Sequence, residues 1–355
     1  MTHAKIGFSP QQWERVRETY TAWWRGELDR PLIGLVVSDP KGVRPSPFLT
    51  NWPSDWSDDQ VTQAAVELLS SQRFYGDAIP YFFPNYGPGV AAAFTGARLH
   101  PAPDTVWFEP PPHQRLADLR IALDERNPWW TRIRHVTDLL ARRLGERVQI
   151  GLTDLGGNLD ILAGLHGTER LLMDAVEEPD EVVRCVNRVT RLWSEAYDAL
   201  RALTAAHCPG TIPWASTWAP RSTYMLQSDF SYMISPDMFK QFVLPDLRAC
   251  CDRLEYAFYH MDGVGQLPHL DHLLSIPNLH GIQWIPGGGK PPAVEWPDLL
   301  GRIREAGKLI QVGATPEEAR RIIRRHGGKG FFFVMIVPDL SDETAMRLAR
   351  EFGAA

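Results

Sequence analysis

The chain has 355 residues, 44% hydrophobic and 23% charged, with a formal net charge of -6, a composition that excludes the disordered and collagen-like classes and can bury a substantial core. The acidic balance and the lack of a basic stripe argue against a DNA or RNA partner. No run of about 18 apolar residues predicts a membrane span, and the first residues lack the apolar core of a signal peptide, so a cytoplasmic protein is expected.

In chain order, an opening helix is predicted over 10–26, where Trp13, Val16 and Tyr20 recur at helical spacing. Short apolar runs then alternate with longer amphipathic segments. The runs predict strands at 32–37, 78–83, 148–152, 224–227, 256–259, 281–284, 309–312 and 331–336. Between and after them the helical period covers 60–71, 130–144, 168–206, 236–254, 264–274, 296–306, 315–325 and 342–352. Ser235-Pro236 and Thr315-Pro316-Glu317-Glu318 put an N-cap, a first-turn proline and, in the second, first-turn acids in order.

This alternation predicts an α/β fold, a closed (β/α)8 TIM barrel in one domain over 1–355, with an N-terminal helix. Two inserts, 84–112 and 209–221, are too long for simple connections and are expected as hairpins or lids over one barrel end. Gly287-Gly288-Gly289-Lys290 lacks the first glycine of a P-loop and is read as a plain loop. Cys185, Cys208, Cys250 and Cys251 show no paired CxxC spacing and are read as reduced structural thiols.

Barrel enzymes carry their reactive groups where strands end, which selects a short set of residues. Tyr256-Ala-Phe-Tyr-His260-Met-Asp262-Gly263 is the most pointed: an apolar run ends in a histidine and a carboxylate two apart, hence on one face of a strand and free to share a proton, metal or substrate. A core histidine beside a turn-forming Asp-Gly is the plainer alternative. Asp154 and Asp229 follow two other strands, although either could instead serve a local turn. Asn85, Tyr86, Gln283 and Trp284 fall at further strand ends, and Trp218, from the second insert, and Tyr232 complete an expected substrate pocket. His269 and His272, three apart, are read as a solvated helix face rather than a zinc site.

The segments Trp23-Trp24-Arg-Gly-Glu-Leu-Asp29-Arg30-Pro31-Leu, Leu226-Gln-Ser-Asp229-Phe-Ser-Tyr-Met-Ile-Ser235-Pro236 and Tyr259-His260-Met-Asp262-Gly263 resemble the uroporphyrinogen decarboxylase superfamily. The resemblance implies a (β/α)8 barrel shared by porphyrinogen decarboxylases and by zinc methyltransferases that work with corrinoid proteins. The decarboxylase arginine segment has no match in Ser38-Asp39-Pro40-Lys41-Gly42, and Asn85 stands near that branch's essential aspartate. In the methyltransferase branch His260 matches the first zinc ligand, but Asp262 replaces a cysteine and no cysteine follows Cys251. A harder His260/Asp262 metal site, for zinc or another divalent ion, or no metal, is what remains.

The expectation is therefore a divergent member of the superfamily, an enzyme of the methyltransferase kind acting on a small organic substrate. His260, Asp262, Asp229 and Asp154 would be its catalytic set. A corrinoid, a corrinoid-protein partner and a homodimer are implied by the resemblance alone. The alternatives are a decarboxylase or lyase for another acid, using Arg30, Arg44 or Arg221 as a clamp, and a non-catalytic binder of a tetrapyrrole, amine or sugar.

Overall fold

A computed structural model describes residues 6–39, 44–112 and 115–354. Helix α1 (Pro10–Trp24) starts at Ser9, whose side chain and that of Gln12 cap each other's backbone N–H groups. The spacing of Trp13, Tyr20, Trp23 and Trp24 puts four aromatic rings on its buried face. They pack on Phe258, Phe332 and Trp218, and the indole N–H groups of Trp23 and Trp24 donate to the carbonyls of Phe331 (3.2 Å) and Trp218 (2.9 Å). An aromatic plug results. A buried indole edge usually takes such a partner, whereas that of Trp13 in the same plug has none.

The strands follow as β1 (Leu32–Ser38), β2 (Gln72–Gly76), β3 (Tyr81–Phe82), β4 (Arg98–Pro101), β5 (Val106–Glu109), β6 (Gln149–Ile150), β7 (Thr223–Gln227), β8 (Tyr256–Asp262), β9 (Leu279–Ile285), β10 (Leu309–Gly313) and β11 (Phe331–Pro338). Six of them form a parallel sheet in the order β1-β11-β10-β9-β8-β7, with β2 antiparallel on the free edge of β1. A separate parallel pair joins β3 to β6, and β4 with β5 makes the hairpin expected in the first insert. The fold is thus mixed α/β with a parallel central sheet and helices.

Among the described residues no closed barrel is formed, contrary to the sequence expectation. The edge of β1 that would meet β3 is taken by β2, which the helical period at 60–71 did not foretell. On the other side, Leu152 after β6 donates to the carbonyl of Ile212 in the second insert (3.0 Å), and Thr211 bridges Ala219 there. The insert covers the gap where β6 and β7 would pair.

Helices α2 (Asp58–Ser70), α3 (Ala91–Phe94), α4 (Pro128–Leu144), α5 (Asn158–His166), α6 (Thr168–Glu177) and α7 (Pro179–Ala205) precede β7. The single helix predicted over 168–206 is two, because Pro179 has no N–H to continue the first and its ring excludes the preceding helical turn. Helix α5 was not read from the sequence at all. After β7 the predicted 236–254 helix is interrupted by one π-helical turn, Phe239–Val243, just ahead of Pro245. Among the described residues no helix is long and apolar enough to cross a membrane.

Candidate functional site

In a parallel sheet, register partners point to the same side, so pairing extends one strand's face across its neighbours. Gln227 pairs with His260, His260 with Gln283, and Gln283 with Gln311. Four polar side chains therefore form one row across β7 to β10, on the side opposite the helix-covered Leu226, Tyr259, Ile282 and Ile310. Two residues further along β8, Asp262 shares the side of His260, and its carboxylate lies 3.7 Å from Nε2.

The third member arrives on the turn after β7. Asp229 opens the 3-10 turn Asp229–Met233, which is tied down twice. The Asp160 carboxylate, in the first turn of α5, accepts the backbone N–H groups of Asp229 (3.0 Å) and Phe230 (2.7 Å). His269 holds the Ser231 carbonyl through Nε2 at 2.8 Å. The result places one ligand atom from each of Asp229, His260 and Asp262 within 4.8 Å of one another.

A chain of amides fixes the ring of His260. The backbone carbonyl of Ala215 can only accept, so the Gln311 amide points its NH2 there (2.8 Å) and offers its oxygen to Gln283 Nε2 (2.6 Å). That turns the Gln283 oxygen toward His260, where it accepts from Nδ1–H. The remaining nitrogen, Nε2, is the one that faces Asp262. Trp214 stands edge-on to the imidazole at 4.9 Å and 80°.

The electrostatics follow from crowding carboxylates in a partly dry place. Burial pushes the Asp154 carboxyl up to about 7; the Gly156 N–H, at 2.9 Å, opposes this and the Asp229 charge adds to it. Asp160 is likewise raised to about 7, by burial and then by Asp229. Asp229 keeps one side open to solvent, yet dehydration raises it as well, with His260 opposing and Asp262 reinforcing the shift. For His260 burial pulls the other way, but hydrogen bonding to Asp262, the Asp229 charge and Gln283 outweigh it and raise the imidazole above its ordinary value. Asp154 and Asp160, raised to about 7, hold protons to a higher pH than isolated carboxylates would.

Of the residues expected from sequence, His260, Asp262, Asp229 and Gln283 come together, and Asp154 lies behind them, bonded to Gln227 of the same row at 3.3 Å. Tyr232 is 52% exposed on the lip of an open cleft of about 380 Å³, with Asp229, Asp262, Gly287 and Lys290. Its ring lies where a Cβ on Gly263 or Gly265 would come within 2.9 or 2.5 Å, so those two positions must lack a side chain.

Four expectations are corrected. Trp284, next to the inward Gln283, faces the helices and packs fully buried on Trp296. Trp218 is enclosed in the aromatic plug and gives its indole N–H to Gln149; Trp214 from the same insert reaches His260 instead. Tyr86 is fully buried against Trp129. Asn85 spends its side-chain oxygen on the Gly87 N–H, closing a local turn.

His269, read as solvated, is instead buried and stacked on Phe239 at 4.5 Å. Arg30 forms a two-pronged pair with Asp77 (2.6 and 2.9 Å) and Arg221 pairs with Glu255, which leaves neither poised as a carboxylate clamp. Residues 40–43, within the stretch set against the decarboxylase arginines, lie outside the described residues. Asp160, Gln311 and Lys290 were not selected by sequence. Asp160 alone left a signal, as an acid in the first turn of a helix.

One imidazole nitrogen and two carboxylates at these separations suit a divalent cation such as manganese, iron or zinc bound by hard ligands. A thiolate-rich site is not available: Cys185, Cys250 and Cys251 are buried, and burial raises their thiols, that of Cys251 to about 12.

No protein-family model matches the chain, and no curated protein matches it in sequence. Among solved structures it is similar to a methyltransferase from Methanosarcina mazei, with a TM-score of 0.63 at 12% identity over 95% of this chain and 97% of that one. A B12-independent methionine synthase from Shewanella sp. W3-18-1, solved with selenomethionine, aligns with a TM-score of 0.46 at 13% identity over 92% and 97%. The first of these likenesses establishes a shared fold.

Proposed function

We propose that this chain is an enzyme of the methyltransferase kind within the uroporphyrinogen decarboxylase superfamily, acting on a small organic substrate at the carboxyl end of its parallel strands. The reading takes 1–355 as one domain, a (β/α)8 barrel whose hydrogen-bonded ladder is interrupted beside β2 and the second insert. The observation that carries it is the convergence of Asp229, His260 and Asp262 to within 4.8 Å at that end. The likeness in fold to a methyltransferase and the motif resemblance around His260 support the reaction class.

In this reading Asp229, His260 Nε2 and Asp262 hold a divalent cation. Such an ion, when bound, lowers the pKa of a substrate heteroatom and so makes it a better methyl acceptor. The chain's own residues do the rest. Gln283 and Gln311 hold a proton on Nδ1 and aim Nε2 at the site, Asp160 holds the turn that presents Asp229, and Trp214 stands edge-on to the imidazole. Asp154, raised to about 7, stores a proton beside the cluster. A corrinoid protein would be the methyl source, docking at the open cleft.

The test is metal content by mass spectrometry on protein purified without chelators or a histidine tag, followed by an assay with methylcobalamin as donor and small amines or thiols as acceptors. One equivalent of manganese, iron or zinc in the wild type, lost in His260→Ala together with demethylation of the cobalamin, is the expected result. A metal-free wild type that binds none of these ions would overturn the metal site. No demethylation by the loaded protein with any acceptor would overturn the transferase reading.

A further inference from the structure

The two halves of the sheet's inner face differ in chemistry. Along β7 to β10 the row is Gln227, His260, Gln283 and Gln311, with Asp262 above. On β11 and β1 the same face carries Phe332, Val334 and Ile336, paired in register with Leu32, Gly34 and Val36. Phe332 is sealed in the aromatic plug, Val334 and Val36 are half-buried, and Ile336 is 70% exposed. Its strand neighbours Phe333 and Met335, which face the helices, are 0% and 1% exposed. Burial thus falls along the inner face toward the mouth, and a large branched residue is left bare at its top. An exposed isoleucine beside half-buried Val334 and Val36 offers apolar surface that a ligand's hydrocarbon could cover.

Between the two halves sits Gly313, the partner of Val334 at the end of β10. It is exposed, has ordinary backbone angles, and a Cβ built there would meet nothing within 4 Å. Polar row and apolar wall are therefore joined across open space. Beneath Val36 and Val334 a small cavity of about 20 Å³, floored by Tyr20 and Tyr81, shows that side-chain packing is incomplete there too.

We propose that the mouth binds a small amine with an apolar body, its nitrogen against Asp229, His260 and Asp262 and its hydrocarbon across Gly313 onto Val334, Ile336 and Val36. The inference rests on the reading of the Asp229–His260–Asp262 cluster as the reacting end. An amine satisfies that end in either of its states: as an ammonium it pairs with the two carboxylates, and as a neutral base it is a nitrogen donor to a bound cation. A carboxylate-headed molecule of the same shape would face like charges at Asp229 and Asp262, offset only in part by His260 and by Lys290 on the cleft.

The experiment is calorimetric binding of n-alkylamines from ethylamine to hexylamine, and of n-alkyl carboxylates of equal length, to the full chain. Amine affinity is expected to rise about threefold per methylene, as burial of each CH2 implies, with carboxylates at least about tenfold weaker. Ile336→Asp, at an exposed position that the fold does not need, should flatten the chain-length slope. Gly313→Leu should fill the mouth and weaken the longer amines more than ethylamine.

A wild-type slope of zero, or a slope that survives both variants, overturns the apolar seat. Manganese titration of the same samples separates this from failure of the underlying reading: manganese bound with a flat slope sinks the apolar seat alone. Amine affinities left unchanged across the series by His260→Ala remove the cluster as the amine's anchor and overturn the proposal as stated.

Discussion

Phe258 and His260 stand two residues apart on one strand and face the same side, yet one is sealed under Trp23 and Trp24 of α1 and the other lies at the edge of an open cleft. The two ends of the sheet's inner face thus do different work. The amino end is filled with rings, of which Trp23, Trp24 and Tyr20 donate to backbone carbonyls and Trp218 to the Gln149 side chain. The carboxyl end gathers Asp154, Asp160, Asp229 and Asp262, carboxylates that repel one another and resist dehydration, with His260 offsetting part of their charge. Apolar packing is concentrated at one end and titratable groups at the other, a division that α/β barrels share.

The sharpest way to test that division is to damage the plug. Trp23→Ala removes a fully buried indole and its hydrogen bond to Phe331, and should cost about 3–5 kcal/mol in urea denaturation. Manganese affinity of the folded fraction should stay within about twofold, because the plug and the cluster share no partner. A large fall in affinity would mean that the two ends are coupled.

The next largest effect is expected at the other end and has the opposite sign. The Asp154 carboxyl is raised from 3.8 to about 7, so the folded state prefers it protonated. The stability this contributes is complete below about pH 4 and is lost as pH rises through about 7. Asp154→Asn, which keeps an oxygen for the Gly156 N–H, should therefore be more stable than wild type by on the order of 2–4 kcal/mol at pH 8–9, and no more stable near pH 4. Denaturant midpoints at the two pH values decide this. A variant that is less stable at pH 8 would mean that Asp154 is ionised and paired. His260, also raised, has the same sign: its share of stability is lost as pH rises through its elevated pKa.

A smaller effect is expected from the amide chain. Gln311→Met frees the Gln283 amide to turn and loosens the hold on Nδ1 of His260. Manganese affinity should fall about tenfold, with the nitrogen-15 shifts of the His260 ring moving toward a mixture of tautomers. Unchanged ring shifts would show that Gln283 is held without Gln311.

Much of this was legible in the residues. The alternation of apolar runs with helical periods placed the principal strands, and the two-residue spacing of His260 and Asp262 put them on one face. Yet β8 runs through Asp262, so both belong to the strand end rather than to the loop after it. The helix starts at Ser9, Ser235 and Thr315 form caps as their side chains require.

What the linear pattern could not decide is which face of a strand looks inward. Both faces of a parallel sheet in an α/β fold are buried, one under helices and one under the plug, so hydrophobicity does not separate Gln283 from Trp284. Nor could it choose Trp214 over Trp218 within one insert, since that depends on how the insert crosses the gap beside β7. Asp160 and Gln311 are invisible for a related reason: each acts on a group 69 or 28 residues away, and only the tertiary structure brings them within a hydrogen bond. The sequence by itself determined most of the elements, though not α5 or β2, and the chemistry available at their ends. The packing of those elements decided which groups meet, because a side chain's partners are set by distance in space and its periodicity records only its own strand or helix.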